Sequence, residues 1–346
     1  MIRHTEHVLD AEMGVIAWQA TAGKDASIDE ICSWLAELKA EFDRQVEVFG
    51  GVLLRGFDQL RDAGDFERVL TVLTPNLLDY VGGSSPRVAV RGRIMTATET
   101  PSNRSIPLHQ EMSYTNSPPA RIAFFCQTPA SEGGETTLAD MRRITARLDP
   151  EVRARFERRG AGWVVQRCLS PVYNEAHPAI RKPWTEVFNA ADADTAEKIA
   201  NEKGFYVEWI RGNYMKITPR DVLPVTRTHP KTGSVVWFNQ VNIFAPAAFL
   251  SWAEKDGVHD RVADIRAAMD NAPELLDRVL HGDGTLVSED DALHIQDVLE
   301  SYSVPLVWER GDLVVLDNIL TGHGRRPFSG ERVILAGLIG PSHGPQ

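Results

Sequence analysis

Three cysteines in 346 residues are too few to organise a fold. Cys32, Cys126 and Cys168 are far apart, odd in number and in no C-x-x-C pair. That excludes a disulfide framework and a thiolate zinc site. Basic residues are in deficit: 37 Lys and Arg against 48 Asp and Glu leave a net charge of −11 and a pI near 5.4. Such a surface repels phosphate backbones, so nucleic acid is not an expected partner. Aromatic residues make up only 8% and the tryptophans are scattered, so no stacking platform for single strands is evident. No apolar run approaches the roughly 20 residues of a membrane span. The opening residues show no signal-peptide core, so the expectation is a soluble, cytoplasmic protein. Internal repeats, low-complexity tracts and long Pro/Ser linkers are also missing.

What is present is an ordinary globular composition, 43% hydrophobic and 25% charged. Length alone would allow about two domains, but the texture favours one. Ile28, Ile31, Leu35, Leu38 and Phe42 recur at three- and four-residue steps, with Ser27 as a candidate N-cap, which predicts a helix. Gly51-Val-Leu-Leu-Arg-Gly-Phe57 reads as a buried strand, and a second amphipathic helix is expected over 65–73. Beyond Arg87 the chain breaks into short β-branched runs at 93–98, 121–126, 163–166, 234–238, 313–316 and 333–338. Helical texture returns at 190–204, and at 260–280 with a break at Pro273. The prediction is a single α+β domain over 1–346: a jelly-roll core with helical insertions, including a lid over about 175–225.

The segment Pro107-Leu-His-Gln-Glu-Met-Ser-Tyr114 carries the most chemistry. In a strand, His109 and Glu111 would share one face. An imidazole beside a carboxylate is two thirds of the facial triad of non-haem Fe(II) oxygenases. Two other pairs share the spacing, His4/Glu6 and His281/Asp283, and chance alone supplies about 1.4 such pairs at this composition. His4/Glu6 falls at an end expected to fray. His281-Gly-Asp-Gly284 reads as a turn. Only His109/Glu111 has β-like surroundings and ample chain left to close a site, although an ordinary hydrogen-bonded histidine at a strand end would look the same. The candidate third ligand is His323, flanked by glycines after the apolar run that ends at Asp317-Asn318. Nine residues later Arg332 opens the next strand, where a guanidinium could pair bidentately with a dicarboxylate. The plainer reading of Arg332 is a solvated cation paired with Glu331 or Asp317.

Together these segments resemble the taurine dioxygenase/clavaminate synthase superfamily of Fe(II)/2-oxoglutarate oxygenases, and most closely the branch of syringomycin-type aspartyl hydroxylases. The resemblance runs over about 50–340 through Gly51–Phe57, Ser84-Ser-Pro-Arg87, the His109/Glu111 segment, Gly133-Gly-Glu-Thr136, His229-Pro-Lys-Thr-Gly-Ser-Val-Val-Trp-Phe-Asn-Gln240 and His323–Arg332, in family order. It implies a double-stranded β-helix, with His109, Glu111 and His323 as iron ligands, Thr136 hydrogen-bonded to 2-oxoglutarate and Arg332 on its distal carboxylate. Fe(II), 2-oxoglutarate and O2 follow as cofactor and cosubstrates. Glu111 fills the position that related halogenases leave small, which disfavours halogenation. Glutamate in place of the commoner aspartate argues mildly against a sulfonate.

The branch implies hydroxylation of an amino acid, free or tethered to a carrier protein, in specialised metabolism. Desaturation, epoxidation or cyclisation of a small carboxylate is the alternative within the same chemistry; a non-catalytic jelly-roll binding protein is the alternative outside it. Candidate substrate residues are Arg325, Asn239, Gln240, Ser85, Arg87 and Glu99. Each has a plain structural reading beside the functional one: a turn, a buried amide satisfying backbone, or a solvated charge. The acidic surface does not favour an acidic carrier, although a local basic patch at Arg87, Arg91 and Arg93 would compensate.

Overall fold

The computed structural model describes residues 1–74, 76–79, 87–98, 100–172 and 183–341. Ser85 and Glu99 lie outside the described residues, as does the start of the expected lid at 175–182.

The β-branched runs form two principal sheets. The larger one, nine-stranded among the described residues, runs in the order Arg3–Asp10, Val15–Ala22, Gly51–Arg55, Leu313–Asp317, Arg121–Thr128, Val333–Ile339, Ile94–Thr96, Ala89–Arg91, with Leu77–Leu78 also paired to Val333–Ile339. Only Val15–Ala22 and Gly51–Arg55 pair in parallel; the other pairings are antiparallel. The smaller sheet runs Val304–Leu306, Thr136–Asp140, Thr321–Arg325, Ile106–His109. One apolar cluster packs between them and includes Phe124, Leu138, Leu306, Val314 and Ile334.

The predicted first helix spans Ile28–Phe49. Its capping box is complete: Ser27 accepts from the Glu30 N–H, and the Glu30 side chain accepts from the Ser27 N–H at 2.8 Å. Gly50, at φ 106°, ends the helix in a backbone shape other residues resist. This helix and Ala63–Leu73 cover the outer face of the large sheet, burying Trp18, Phe42, Phe66 and Phe125 completely. Full burial of each such ring is worth about 2–3 kcal/mol.

A third unit surrounds strand Gly162–Leu169, with the hairpin Phe205–Ile210 and Tyr214–Pro219 on one side and Arg278–His281 on the other. Helices Trp184–Val187 and Ala193–Glu202 pack on it through Trp184, Phe188, Ala196, Ala200, Met215 and Ile217.

Two local expectations are corrected. Helical pattern was expected as far as Leu280, but the helix is His259–Asn271, a 3-10 turn follows at Pro273–Leu275, and Arg278–His281 is a strand. Proline removes the helical donor, and an open strand edge at Gly162–Leu169 takes up the residues beyond it. Likewise His4 and Glu6 do not fray. They sit in Arg3–Asp10, where the His4 ring stacks on Trp18 at 4.7 Å.

Candidate metal centre and adjoining pocket

Strand pairing brings the distant residues together. His323 is the cross-strand partner of His109 on one side and of Leu138 on the other. The two imidazole centroids lie 4.4 Å apart, and Glu111 Oε2 is 3.6 Å from His323 Nε2. One ligand atom from each of His109, Glu111 and His323 falls within 4.8 Å of the others. The glycines beside His323 are required by packing. A Cβ on Gly324 would stand 2.6 Å from the Ile106 carbonyl and from Thr137 Oγ1, and one on Gly322 about 3.1 Å from the Leu108 side chain.

The strand argument for Glu111 is corrected in its mechanism. The strand ends at His109; Gln110, Glu111 and Met112 form a turn, with Met112 at φ 53°. Such a turn has no ladder of its own, and a side-chain amide replaces it. Asn318, fully buried, accepts the Glu111 N–H through Oδ1 at 2.7 Å and donates through Nδ2 to the Glu111 and Pro119 carbonyls at 2.9 Å. This is the two-way exchange of a β-ladder, made by one side chain. Asp317 steadies that amide: Oδ1 accepts the Ile319 and Leu320 N–H groups at 2.9 Å, and Oδ2 accepts from His229 Nε2 at 3.0 Å. Sequence reasoning gave Asn318 and His229 no role. The signal was there, in a buried-type Asp-Asn pair closing an apolar strand five residues before His323.

Electrostatics suit a cation. His109 Nδ1 donates to the Pro107 carbonyl at 2.9 Å, which leaves the Nε2 lone pair for a ligand. Burial, then the neighbouring His323, hold the His109 pKa down at about 4, so the ring is neutral near pH 7. Burial would raise Glu111, but the Arg87 guanidinium and then the histidines outweigh it and hold the carboxyl at about 2. Two imidazoles and a carboxylate form the N2O donor set of a non-haem Fe(II) site, and these residues fit that ion.

An open pocket adjoins the cluster, with Phe124, Thr136, Arg325, Arg332 and Ile334 in its wall. Thr136 Oγ1 accepts from Trp308 Nε1 at 3.0 Å, so its own proton remains to be donated. Arg332 gives Nε to the Gly134 carbonyl at 2.9 Å. Neither Glu331 nor Asp317 pairs with it, and among the described residues no carboxylate lies within ion-pair range of Arg325 or Arg332. Burial lowers both guanidinium pKa values to about 10, helped at Arg325 by the charge of Arg332. A pocket with two uncompensated cations fits a dianion such as 2-oxoglutarate.

Four candidate substrate residues can be placed, and two of them, Arg87 and Arg325, line the pocket. Arg325 lines the pocket but donates to the carbonyls of Thr100, Pro101 and Arg104, strapping that loop over the site. Asn239 Nδ2 donates to the Val225 carbonyl and Gln240 Nε2 to the Gln110 carbonyl, so both buried amides satisfy backbone. Arg87 lines the pocket with its Nη2 2.7 Å from Glu111 Oε2. The expected basic patch is lost with it, because Arg91 pairs with Glu67 and Arg93 with Asp79. Among the described residues no helix is long and apolar enough to cross a membrane.

The sequence model of the family described as taurine catabolism dioxygenase TauD, TfdA family matches residues 16–338. A clavaminate synthase-like protein of Arabidopsis thaliana is 31% identical over 303 residues, covering 87% of this chain and 84% of its own. The dapdiamide synthesis protein DdaC of Enterobacter agglomerans is 27% identical over 320 residues, covering 92% and 88%. Among solved structures, PvcB of Pseudomonas aeruginosa shares the fold with a TM-score of 0.52 at 14% identity, covering 98% of this chain and 91% of its own.

Proposed function

The chain belongs to the TauD/TfdA family of dioxygenases, and from that premise we propose that it hydroxylates an unactivated C–H bond of an amino acid or amino-acid-derived small molecule. Family membership makes it an Fe(II)- and 2-oxoglutarate-dependent dioxygenase. The observation that carries the reading is the convergence of His109, Glu111 and His323 beside a pocket holding Thr136 and Arg332. We read the opposed sheets as a double-stranded β-helix in one domain spanning 1–346, with the unit around 183–225 as the lid.

In this reading His109, Glu111 and His323 hold Fe(II), and Thr136 and Arg332 hold 2-oxoglutarate. The bound iron and cosubstrate supply the oxidising power, with succinate and CO2 as co-products. The chain's own work is placement. Trp308 turns the Thr136 hydroxyl toward the cosubstrate, Arg332 grips the distal carboxylate, and Phe124 and Ile334 exclude water from the pocket. The relative named for dapdiamide synthesis supports a biosynthetic setting. A free small molecule is favoured over a carrier-tethered one, since Arg87, Arg91 and Arg93 are all paired.

Anaerobic titration of the apoprotein with Fe(II) and then 2-oxoglutarate tests this, followed by a screen of amino acids for oxygen-dependent succinate release. A visible charge-transfer band, with succinate coupled to an amino acid, is the expected result. Bound iron without a band on adding 2-oxoglutarate would overturn the reading.

A further inference from the structure

We propose that Arg87 is a positioning residue for the iron centre: it aims the Glu111 carboxylate at the histidine pair, so its loss weakens metal binding. The inference rests on the Fe(II) reading of the His109, Glu111 and His323 cluster. Glu111 stands in a turn beyond the last strand residue, and Asn318 fixes only its backbone. What fixes the carboxylate is Arg87, whose Nη2 lies 2.7 Å from Oε2 with the two side chains 3% and 5% exposed. That same oxygen is the one 3.6 Å from His323 Nε2. Turning the carboxylate away from His323 therefore breaks a charge-assisted bond where water cannot easily replace it.

Two other roles for Arg87 fit the geometry less well. Binding substrate through its remaining donors would not by itself account for the buried 2.7 Å pairing of Nη2 with the Glu111 carboxylate. A merely stabilising pair is a poor use of buried charge, since apolar residues of equal volume stabilise as well or better. The pair also does not lie in an apolar core: Arg87 lines the pocket with His109, His323 and Thr136. Nη1 makes in addition a weak 3.8 Å contact with the Met95 sulfur.

The test is anaerobic calorimetric titration of the full-length apoprotein with Fe(II) alone, with circular dichroism and thermal midpoints to verify folding. Arg87→Gln is expected to weaken Fe(II) binding ten- to a hundred-fold, the range for lost support of a ligand. Arg87→Lys, which keeps the charge, should recover part of that loss, and it carries the test alone if Arg87→Gln does not fold. Met95→Leu conserves volume and should bind as wild type. In iron-saturated Arg87→Gln the 2-oxoglutarate band should move from its wild-type energy, which a purely structural role would not produce. Wild-type affinity in both Arg87 variants would overturn the proposal. So would equal weakening by Met95→Leu, which would make packing the cause. Failure of the wild type to bind Fe(II) would instead sink the underlying metal reading.

Discussion

The small sheet that carries the metal cluster and the outlying unit around Gly162–Leu169 are built on different terms. In the small sheet, every residue of Thr136–Asp140 and Thr321–Arg325 is buried, and the ligand-bearing turn is held by Asn318, Gln240 and Arg87. The outlying hairpin exposes alternate residues, Tyr206 at 62%, and rests on a small cluster of its own. One region spends buried polar groups to fix atoms in place. The hairpin at the margin of the other leaves more of its side chains in solvent, a condition under which a segment opens independently of the rest. Chemistry common to a whole family calls for the first kind of construction, and adaptation to one substrate calls for the second.

The largest expected effect strikes the rigid side. His323→Ala removes one of three donors and should abolish detectable Fe(II) binding in calorimetry and all succinate release, while the far-ultraviolet dichroism stays native. Next, Arg332→Ala should weaken 2-oxoglutarate binding about 100-fold, the scale for leaving a buried charge unpaired. Iron titration without cosubstrate should be unchanged, so a loss of iron affinity in that variant would contradict the division of labour. Asn318→Ala leaves the Glu111 N–H and the Pro119 carbonyl without a partner and should cost about 2–3 kcal/mol of stability in urea unfolding. It should also lower iron affinity about tenfold. Unchanged iron affinity would show that the turn holds its shape unaided. The smallest effect at the metal belongs to Met215→Ala. It cuts into the outlying cluster by about 2–3 kcal/mol. Hydrogen exchange should quicken over 184–219 while Fe(II) affinity remains at the wild-type level.

The same contrast explains what was legible in the sequence. His109, Glu111 and His323 could be singled out because metal chemistry admits few residue types, and the fold brings these three together. The strand period brought His109 and Glu111 together for a reason that does not apply, since the strand stops between them. The partners of Arg87 and Arg325, Glu111 and the carbonyls of 100–104, were not legible because they lie 24 and more than 220 residues away. Nothing local reports such a pairing. Asn239 and Gln240 were open to either reading, and only the carbonyls of Val225 and Gln110 decide between them. Helix Ile28–Phe49 was legible to the N-cap, because capping and apolar periodicity are local. The strand at Arg278–His281 was not, because its partner is 115 or so residues upstream, an order of separation that periodicity does not sense.

The placement of the last strands has a consequence for how the protein is made. Leu313–Asp317 lies between Gly51–Arg55 and Arg121–Thr128, and Thr321–Arg325 lies between Thr136–Asp140 and Ile106–His109. A ribosome that has delivered the first 300 residues has therefore delivered two sheets with their middles missing, and only two of the three metal donors. Closure waits on very distant partners, the slow class of contact in folding. Iron loading is thus a late step by construction. A chain that stops before residue 313 would carry exposed sheet edges and lack His323 of the candidate metal cluster.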